Sequence, residues 1–164
     1  DTTEHAIIKL TGQFDGTGQE SNAHRIPVQS LYGALDANGV PLWSGLSVSN
    51  TPLNYYGTTV SRVWYDTWPY AGDVSIYWAG DTQQNILIVN GNGEYDGEGN
   101  WITIAAPNTA ISNCNGDIGV TTRGAVANCS YTLVLELRKQ NEYFQRGQFN
   151  DPAAFNYGAF GVKP

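Results

Sequence analysis

The chain has 164 residues, of which 14% are charged and 12% are Trp, Tyr or Phe, and its formal net charge is −7. We expect one domain over residues 1–164, which is long enough to bury a core without a cofactor. The acidic balance argues against nucleic acid as a partner, because phosphate backbones require clustered Lys and Arg. No apolar run reaches the roughly 18 to 20 residues of a membrane-spanning helix, so we expect no membrane insertion.

Several segments alternate apolar and polar residues with a period of two, which is typical of half-buried β-strands. AIIKLTGQF is the first of these segments, and DVSIYW, NWITI and SYTLVLELRK follow it along the chain. QNILIVN is apolar on both faces and is predicted to be a central strand covered on both sides.

Glycine-rich turn signals separate these segments, and no segment holds a helical apolar stripe for three turns. Short strands joined by such turns predict an all-β protein, an antiparallel β-sandwich that is immunoglobulin-like or jelly-roll-like.

The segment RVWYDTWPYAGD, residues 62–73, is the strongest candidate for a binding site. If extended, it places two indoles, a guanidinium and a carboxylate on one side, with Val63, Tyr65 and Thr67 on the other. Sugar sites commonly combine these groups, because an aromatic ring stacks on the C–H face of a sugar while polar groups bind its hydroxyls. The alternative is that both tryptophans belong to the core. The predicted ligand-binding residues are Arg62, Trp64, Asp66, Trp68, Tyr70, Tyr95 and Trp101.

The stretch NGNGEYDGEGNW, residues 90–101, alternates acidic or amide side chains with other residues, mostly glycine. If this loop curls, its oxygens could bind calcium, although the helix-loop-helix calcium template places Thr103 where a glutamate is required. The alternative is a hairpin connection at the rim of the site, whose charges keep a sheet edge from pairing. The predicted metal ligands are Asn92, Glu94, Asp96 and Glu98.

Paired carboxylates provide a hypothesis of a different class, a small secreted glycoside hydrolase in which Glu94 acts with Glu98 or Glu136. Catalytic carboxylates are usually held on rigid strands, whereas a glycine-rich tip is flexible. The sequence contains no GxSxG, HExxH or phosphate-binding loop. We therefore expect that the protein is not an enzyme.

Cys114 and Cys129 are the only cysteines, and the chain contains no methionine. With an N-terminus that reads DTTEH, this composition indicates a processed, exported product. The cysteines are predicted to form a disulfide, which would stabilise the fold by about 3 kcal/mol on the chain-entropy account. The alternative is two buried thiols in a cytosolic protein. We expect an extracellular or cell-surface location, reached through an oxidising compartment.

The opening strand HAIIKLTGQF, the two cysteines ahead of SYTLVLELRK, and the composition of the whole chain resemble the receptor-binding lectin domains of bacterial fimbrial tip adhesins. The resemblance implies an exported immunoglobulin-like sandwich with one disulfide, and fimbrial subunits as partners. It implies no binding residues, because that family shares no pattern at those positions. The ending NDPAAFNYGAFGVKP also resembles the last strands of calcium-dependent bacterial galactose lectins, with Asp151 and Asn156 in the acidic and amide-rich turn.

These observations predict a domain that binds a glycan or glycoprotein receptor and performs no chemistry. Folding requires no cofactor, and calcium is the ion that the acidic loop would bind. Besides the hydrolase, the alternatives are a calcium-dependent soluble lectin and a structural fibre or coat subunit. The last of these predicts self-association through an open sheet edge.

Overall fold

Eight β-strands form two antiparallel sheets in the part of the chain that the computed structural model describes. The described residues are 1–2, 4–13, 23–42, 51–68, 72–96, 107, 110–124, 129–140 and 142–144. The strands are β1 (His5–Gln13), β2 (Ala23–Ile26), β3 (Thr58–Trp68), β4 (Asp73–Trp78), β5 (Gln84–Val89), β6 (Asn92–Asp96), β7 (Ile118–Arg123) and β8 (Ser130–Lys139). A short 3-10 helix covers Val28–Ser30, and no helix of the described residues is long and apolar enough to cross a membrane.

Sheet A has the strand order β1-β8-β3-β6, and sheet B has the order β2-β7-β4-β5. Successive strands lie in opposite sheets except for β4 and β5, which are paired neighbours in sheet B. Strands that are distant in sequence therefore become neighbours, and β8 pairs with both β1 and β3.

One hydrophobic core lies between the two sheets. Sheet A contributes Val63 and Leu135, and sheet B contributes Ile76 and Val120, all fully buried. In β8 every second residue from Tyr131 to Lys139 is buried, because successive side chains of a strand point to opposite faces. The predicted all-β antiparallel sandwich is confirmed as two antiparallel sheets that share this core.

Three tyrosines lie directly opposite a glycine on the neighbouring strand. A Cβ atom at Gly12 would lie 2.2 Å from the Tyr131 ring, and one at Gly119 would lie 2.3 Å from the Tyr77 ring. The rings therefore lie over the glycines, an arrangement in which an aromatic side chain covers the gap that glycine leaves in a strand. The pairs are Gly12 with Tyr131, Gly93 with Tyr65, and Gly119 with Tyr77.

The predicted roles of DVSIYW and QNILIVN are exchanged in the structure. DVSIYW forms β4, which lies between β7 and β5 and is buried from Val74 to Trp78 on both faces. QNILIV forms β5, which is the last strand of sheet B within the described part of the chain, and Ile88 is 51% exposed. The prediction of a central strand at QNILIVN is therefore wrong. NWITI lies outside the described residues.

A second, smaller cluster closes the end of the sandwich at which β3 begins and β8 ends. It is formed by Val28, Ala34, Tyr56 and Phe144. Beside it Lys139, whose side chain has no exposed surface, donates hydrogen bonds from Nζ to the Asp1 carboxylate and to the carbonyl oxygens of Thr2 and Tyr32. Burial lowers the pKa of Lys139 to about 8. We call this region the Lys139 end, and the opposite end, where β3 finishes, the Trp68 end.

The predicted disulfide between Cys114 and Cys129 is wrong, because both residues are buried thiols that are not joined. Cys114 precedes β7 and Cys129 follows it, and the six residues of β7 span roughly 20 Å. A disulfide needs Cα atoms about 4.4 to 6.8 Å apart. Cys114 Sγ instead accepts a hydrogen bond of 3.2 Å from Gln84 Nε2, and burial raises the pKa of the Cys114 thiol.

Candidate functional site

Alternate residues of β3 point away from the core, on the surface of sheet A that we call the outer face. Trp68 is 62% exposed, Asp66 is also exposed, and Arg62 and Trp64 are half-buried. On the opposite side of the same strand, Val63 and Thr67 are buried. The predicted alternation is therefore confirmed, and it brings four of the predicted ligand-binding residues to one face. Tyr70 and Trp101 lie outside the described residues.

The neighbouring strands extend the outer face on both sides of β3, because residues directly opposite each other in a sheet share a face. β6 contributes carboxylates and one amide, whereas β8 contributes mostly hydroxyls near the Trp68 end. The opposed residues are Asp96, Arg62 and Glu136; Glu94, Trp64 and Val134; Asn92, Asp66 and Thr132; and Trp68 with Ser130. Beyond β8, Lys9 and Thr11 of β1 lie opposite Val134 and Thr132.

Arg62 contacts both the acidic residues of β6 and an aromatic residue of β3 on the outer face. Its Nη2 donates a 2.9 Å hydrogen bond to Asp96 Oδ2, and its Nε lies 3.5 Å from Glu94 Oε1. Its guanidinium carbon lies 5.3 Å from the centre of the Trp64 ring, within the distance of a cation–π contact. The hydrogen bond to Asp96 raises the pKa of Arg62, so the guanidinium remains charged and its charge is matched by two carboxylates.

The acidic stretch is not a curled loop over its described part. Asn92, Glu94 and Asp96 lie on β6, paired with β3 in an extended conformation. Alternate residues of a strand are about 7 Å apart, so these side chains follow a line and do not surround an ion. Two of them already pair with Arg62. Among the described residues no group of three or more His, Cys, Asp or Glu is placed to hold a metal, and Glu98 lies outside them.

Tyr95 is not on the outer face, contrary to the prediction that it joins the binding residues. It lies opposite Val63 in the sheet, and its half-buried side chain packs against the core. The reason is the strand period, because the neighbours of Tyr95 in β6 point outward and Tyr95 therefore points inward.

The carboxylates of the hydrolase hypothesis lie on opposite sides of β3. Glu94 is opposite Trp64 and Glu136 is opposite Arg62. Their two strands are separated by β3 and so lie about 10 Å apart, whereas retaining glycosidases hold their carboxylates about 5 Å apart. The described geometry therefore does not favour this pair as a retaining site, and the pair of Glu94 with Glu98 lies partly outside the described residues.

No protein-family model matches the chain, and no curated protein shows significant similarity to it. The outer face is therefore interpreted from its own residues and their geometry.

A shallow depression of about 450 Å³ is lined by residues of β1 and β8, and Trp68 and Asp66 of β3 pair with two of them in the sheet. Among the described residues it is lined by Thr11, Gly12, Ser130, Tyr131 and Thr132. The sequence analysis missed these residues, because they carry no charge or indole and lie far from β3 in sequence. The period of SYTLVLELRK predicts that Ser130 and Thr132 share a face, but only the strand order places that face beside Trp68.

Proposed function

We propose that the outer face of sheet A binds carbohydrate and that the protein performs no chemistry there. The observation that carries this proposal is the exposed Trp68 on the same face as Asp66 and the stacked pair of Arg62 and Trp64. An exposed indole offers a flat apolar surface to the C–H face of a pyranose ring, and the neighbouring carboxylate accepts hydrogen bonds from its hydroxyls.

Arg62 acts in this proposal as a positioning residue. Its ion pairs with Glu94 and Asp96 fix the guanidinium, and the fixed guanidinium in turn fixes the orientation of the Trp64 ring. A preorganised aromatic platform loses less conformational entropy when it binds a ligand. Because the face is a nearly open sheet surface, binding at a single site is expected to be weak, and a multivalent display would supply the avidity.

The fold supports a more specific assignment within the sandwich class. The strand orders β1-β8-β3-β6 and β2-β7-β4-β5 are those of an eight-stranded jelly roll, an architecture that lectin and capsid domains share. We infer that the chain is jelly-roll-like rather than immunoglobulin-like. Fold does not fix function, so the proposal depends on the outer face and not on this topology.

A glycan or glycoprotein receptor at an extracellular or cell surface is the partner that fits such a site. The proposed role as a fimbrial tip adhesin depends on the opening strand and on the composition of the chain, because the two cysteines are not joined. The same observation removes the disulfide from the argument for an oxidising compartment, and the proposed extracellular location depends on the composition of the chain and on the binding activity.

A glycan array with the purified protein tests the proposal. The wild type should bind at least one group of glycans, and Trp68→Ala should abolish that binding. Ile88→Ala is the matched control, because Ile88 is an exposed apolar residue on the edge strand of the other sheet, and it should bind as the wild type does. Absence of wild-type binding, or equal binding by Trp68→Ala, would contradict the proposal.

A structural fibre or coat subunit is the second candidate, because large apolar side chains are exposed on two edge strands. Ile7 on β1 is 64% exposed and Ile88 on β5 is 51% exposed. Exposed apolar residues on an edge favour pairing between chains. Light scattering over a concentration series distinguishes the two functions, since a subunit of an assembly forms oligomers that Ile7→Lys disrupts, whereas a monomeric lectin does not change.

A further inference from the structure

Among the described residues, the lining of the depression is polar and contains no charged side chain. Thr11, Ser130 and Thr132 point to the outer face, since they lie opposite or beside outward-facing residues of the neighbouring strands. Gly12 and Tyr131 also line the depression, and the buried Tyr131 ring lies over Gly12. Hydroxyl groups both donate and accept hydrogen bonds, so this lining matches the hydroxyls of a neutral sugar.

The residues that line the depression extend the outer face from Trp68 of β3 across β8 to β1. Ser130 lies opposite Trp68, Thr132 lies opposite Asp66, and Thr11 is the next residue across, on β1. Adjacent strands are about 4.8 Å apart, so the row from β3 to β1 is roughly 10 Å long. A single pyranose ring stacked on Trp68 does not reach β1. With a volume of about 450 Å³, the depression is within the roughly 300 to 1,000 Å³ range of small-molecule sites.

The charges around this row select against acidic sugars. Arg62 is the cation nearest the aromatic platform, and its charge is already matched by Glu94 and Asp96. Asp66 lies on β3 two residues from Trp68 and opposite Thr132 of the depression, and the chain as a whole carries a net charge of −7. Lys9 of β1, two residues from Thr11 on the same face, is the one exposed cation of the described row, and Asp66 together with the net charge of −7 opposes it. A neutral sugar is therefore favoured over a sialylated or sulfated one.

We propose that the ligand is a neutral, unbranched oligosaccharide that runs across β3, β8 and β1, with one unit stacked on Trp68 and the following units in the depression lined by Thr11, Ser130 and Thr132. This inference deepens the proposed carbohydrate-binding function and depends on it. It adds a second part of the site and a length requirement, neither of which follows from the tryptophans.

Calorimetric titration with oligosaccharides of increasing length tests the inference. The probes are the cello-, chito-, malto- and xylo-oligosaccharides from monosaccharide to hexasaccharide, with lactose and 3′-sialyllactose as a neutral and charged pair. We expect at least one neutral series to bind about tenfold more tightly at the tetrasaccharide than at the disaccharide. We also expect lactose to bind no more weakly than 3′-sialyllactose.

The variant that isolates the depression is Thr132→Val, which removes one hydroxyl at constant volume and keeps a β-branched side chain. It should weaken binding of the tetrasaccharide about three- to tenfold, the effect of one lost hydrogen bond, and leave the disaccharide unchanged. Thr59→Val is the matched control, because it is the same substitution on the outer face at the Lys139 end, where Thr59 lies opposite Arg138. It should change the binding of neither the tetrasaccharide nor the disaccharide.

The possible failures are distinguishable. Binding that is lost in Trp68→Ala but is independent of chain length and of Thr132→Val overturns the inference and leaves the proposed function standing. Binding only of branched, terminal or acidic array glycans, and of none of the four series, overturns the inference in the same way. If the wild type binds nothing on the array or in solution, the proposed function fails and the inference fails with it.

Discussion

The two ends of the sandwich use their polar groups in opposite ways. At the Lys139 end, the ammonium of Lys139 and the hydroxyl of Tyr56 are buried and bonded to backbone oxygens. At the Trp68 end, an indole is 62% exposed and hydroxyls line an open depression. Groups whose hydrogen bonds are satisfied internally stabilise the fold, and groups open to solvent are available to a ligand. With the proposed function, this difference assigns stability to the Lys139 end and recognition to the Trp68 end.

The Lys139 end joins three distant parts of the chain. Lys139 Nζ is 2.6 Å from the carbonyl oxygen of Thr2 and 2.7 Å from that of Tyr32, and it also bonds the Asp1 carboxylate. The backbone N–H of Tyr32 donates to the other oxygen of the same carboxylate. One buried ammonium thus fixes the N-terminal segment and the loop after β2 against the last residue of β8.

The largest expected effect follows from removing this ammonium. Lys139→Met keeps the aliphatic stem but leaves the acceptors without their donor, so the free energy of unfolding should fall by about 3 kcal/mol. Urea unfolding monitored by tryptophan fluorescence measures it. Lys9→Met, at an exposed position on the outer face of β1, is the control and should change little. Equal losses in both variants would contradict the contrast between the ends.

The pH dependence of stability sharpens the same contrast. Burial lowers the pKa of Lys139 in the folded protein to about 8, from 10.5. Between these values the unfolded chain binds more protons at this residue than the folded protein, so its contribution to stability rises with pH. The stability difference between wild type and Lys139→Met should therefore increase from pH 8 towards 10.5. A difference that decreases would mean that the hydrogen bonds favour the ammonium more than burial disfavours it.

The Trp68 end should behave in the opposite manner. Trp68→Ala should lower the free energy of unfolding by less than about 1 kcal/mol, the range of substitutions at exposed strand positions, while it abolishes glycan binding. Urea unfolding and the glycan array measure the two quantities on the same preparation. A stability loss as large as that of Lys139→Met would show that Trp68 supports the fold and is not primarily a ligand contact.

The sequence predicts the outer face better than it predicts the surroundings of that face. A strand period of two is a local property, and it correctly separates Arg62, Trp64 and Asp66 from Val63 and Thr67. The partners of these residues are not local. Asn92–Asp96 has the glycine and charge content of a loop, yet it becomes strand β6 because β3 supplies its hydrogen-bond partners and Tyr65 covers Gly93.

Strand order explains the other errors. An apolar pattern on both faces indicates burial, but it does not say which of two adjacent strands lies inside the sheet, and here β4 does and β5 does not. The spacing of the two cysteines in the sequence likewise does not show that a strand lies between them. The short distance from Cys114 to Cys129 in sequence suggested a small closed loop, and β7 extends that loop across the sandwich.

The smallest expected effect is that of a reductant on thermal stability, which we expect to be zero because the cysteines are not joined. Because Cys114 lies towards the Lys139 end of β7 and Cys129 towards the Trp68 end, no disulfide joins these two cysteines, and dithiothreitol should leave the melting temperature unchanged. Iodoacetamide added after unfolding, without prior reduction, should alkylate both cysteines of the chain, as intact mass would show. Unmodified protein together with a lower melting temperature in reductant would mean that the ends are joined and that the path of β7 between the cysteines is wrong.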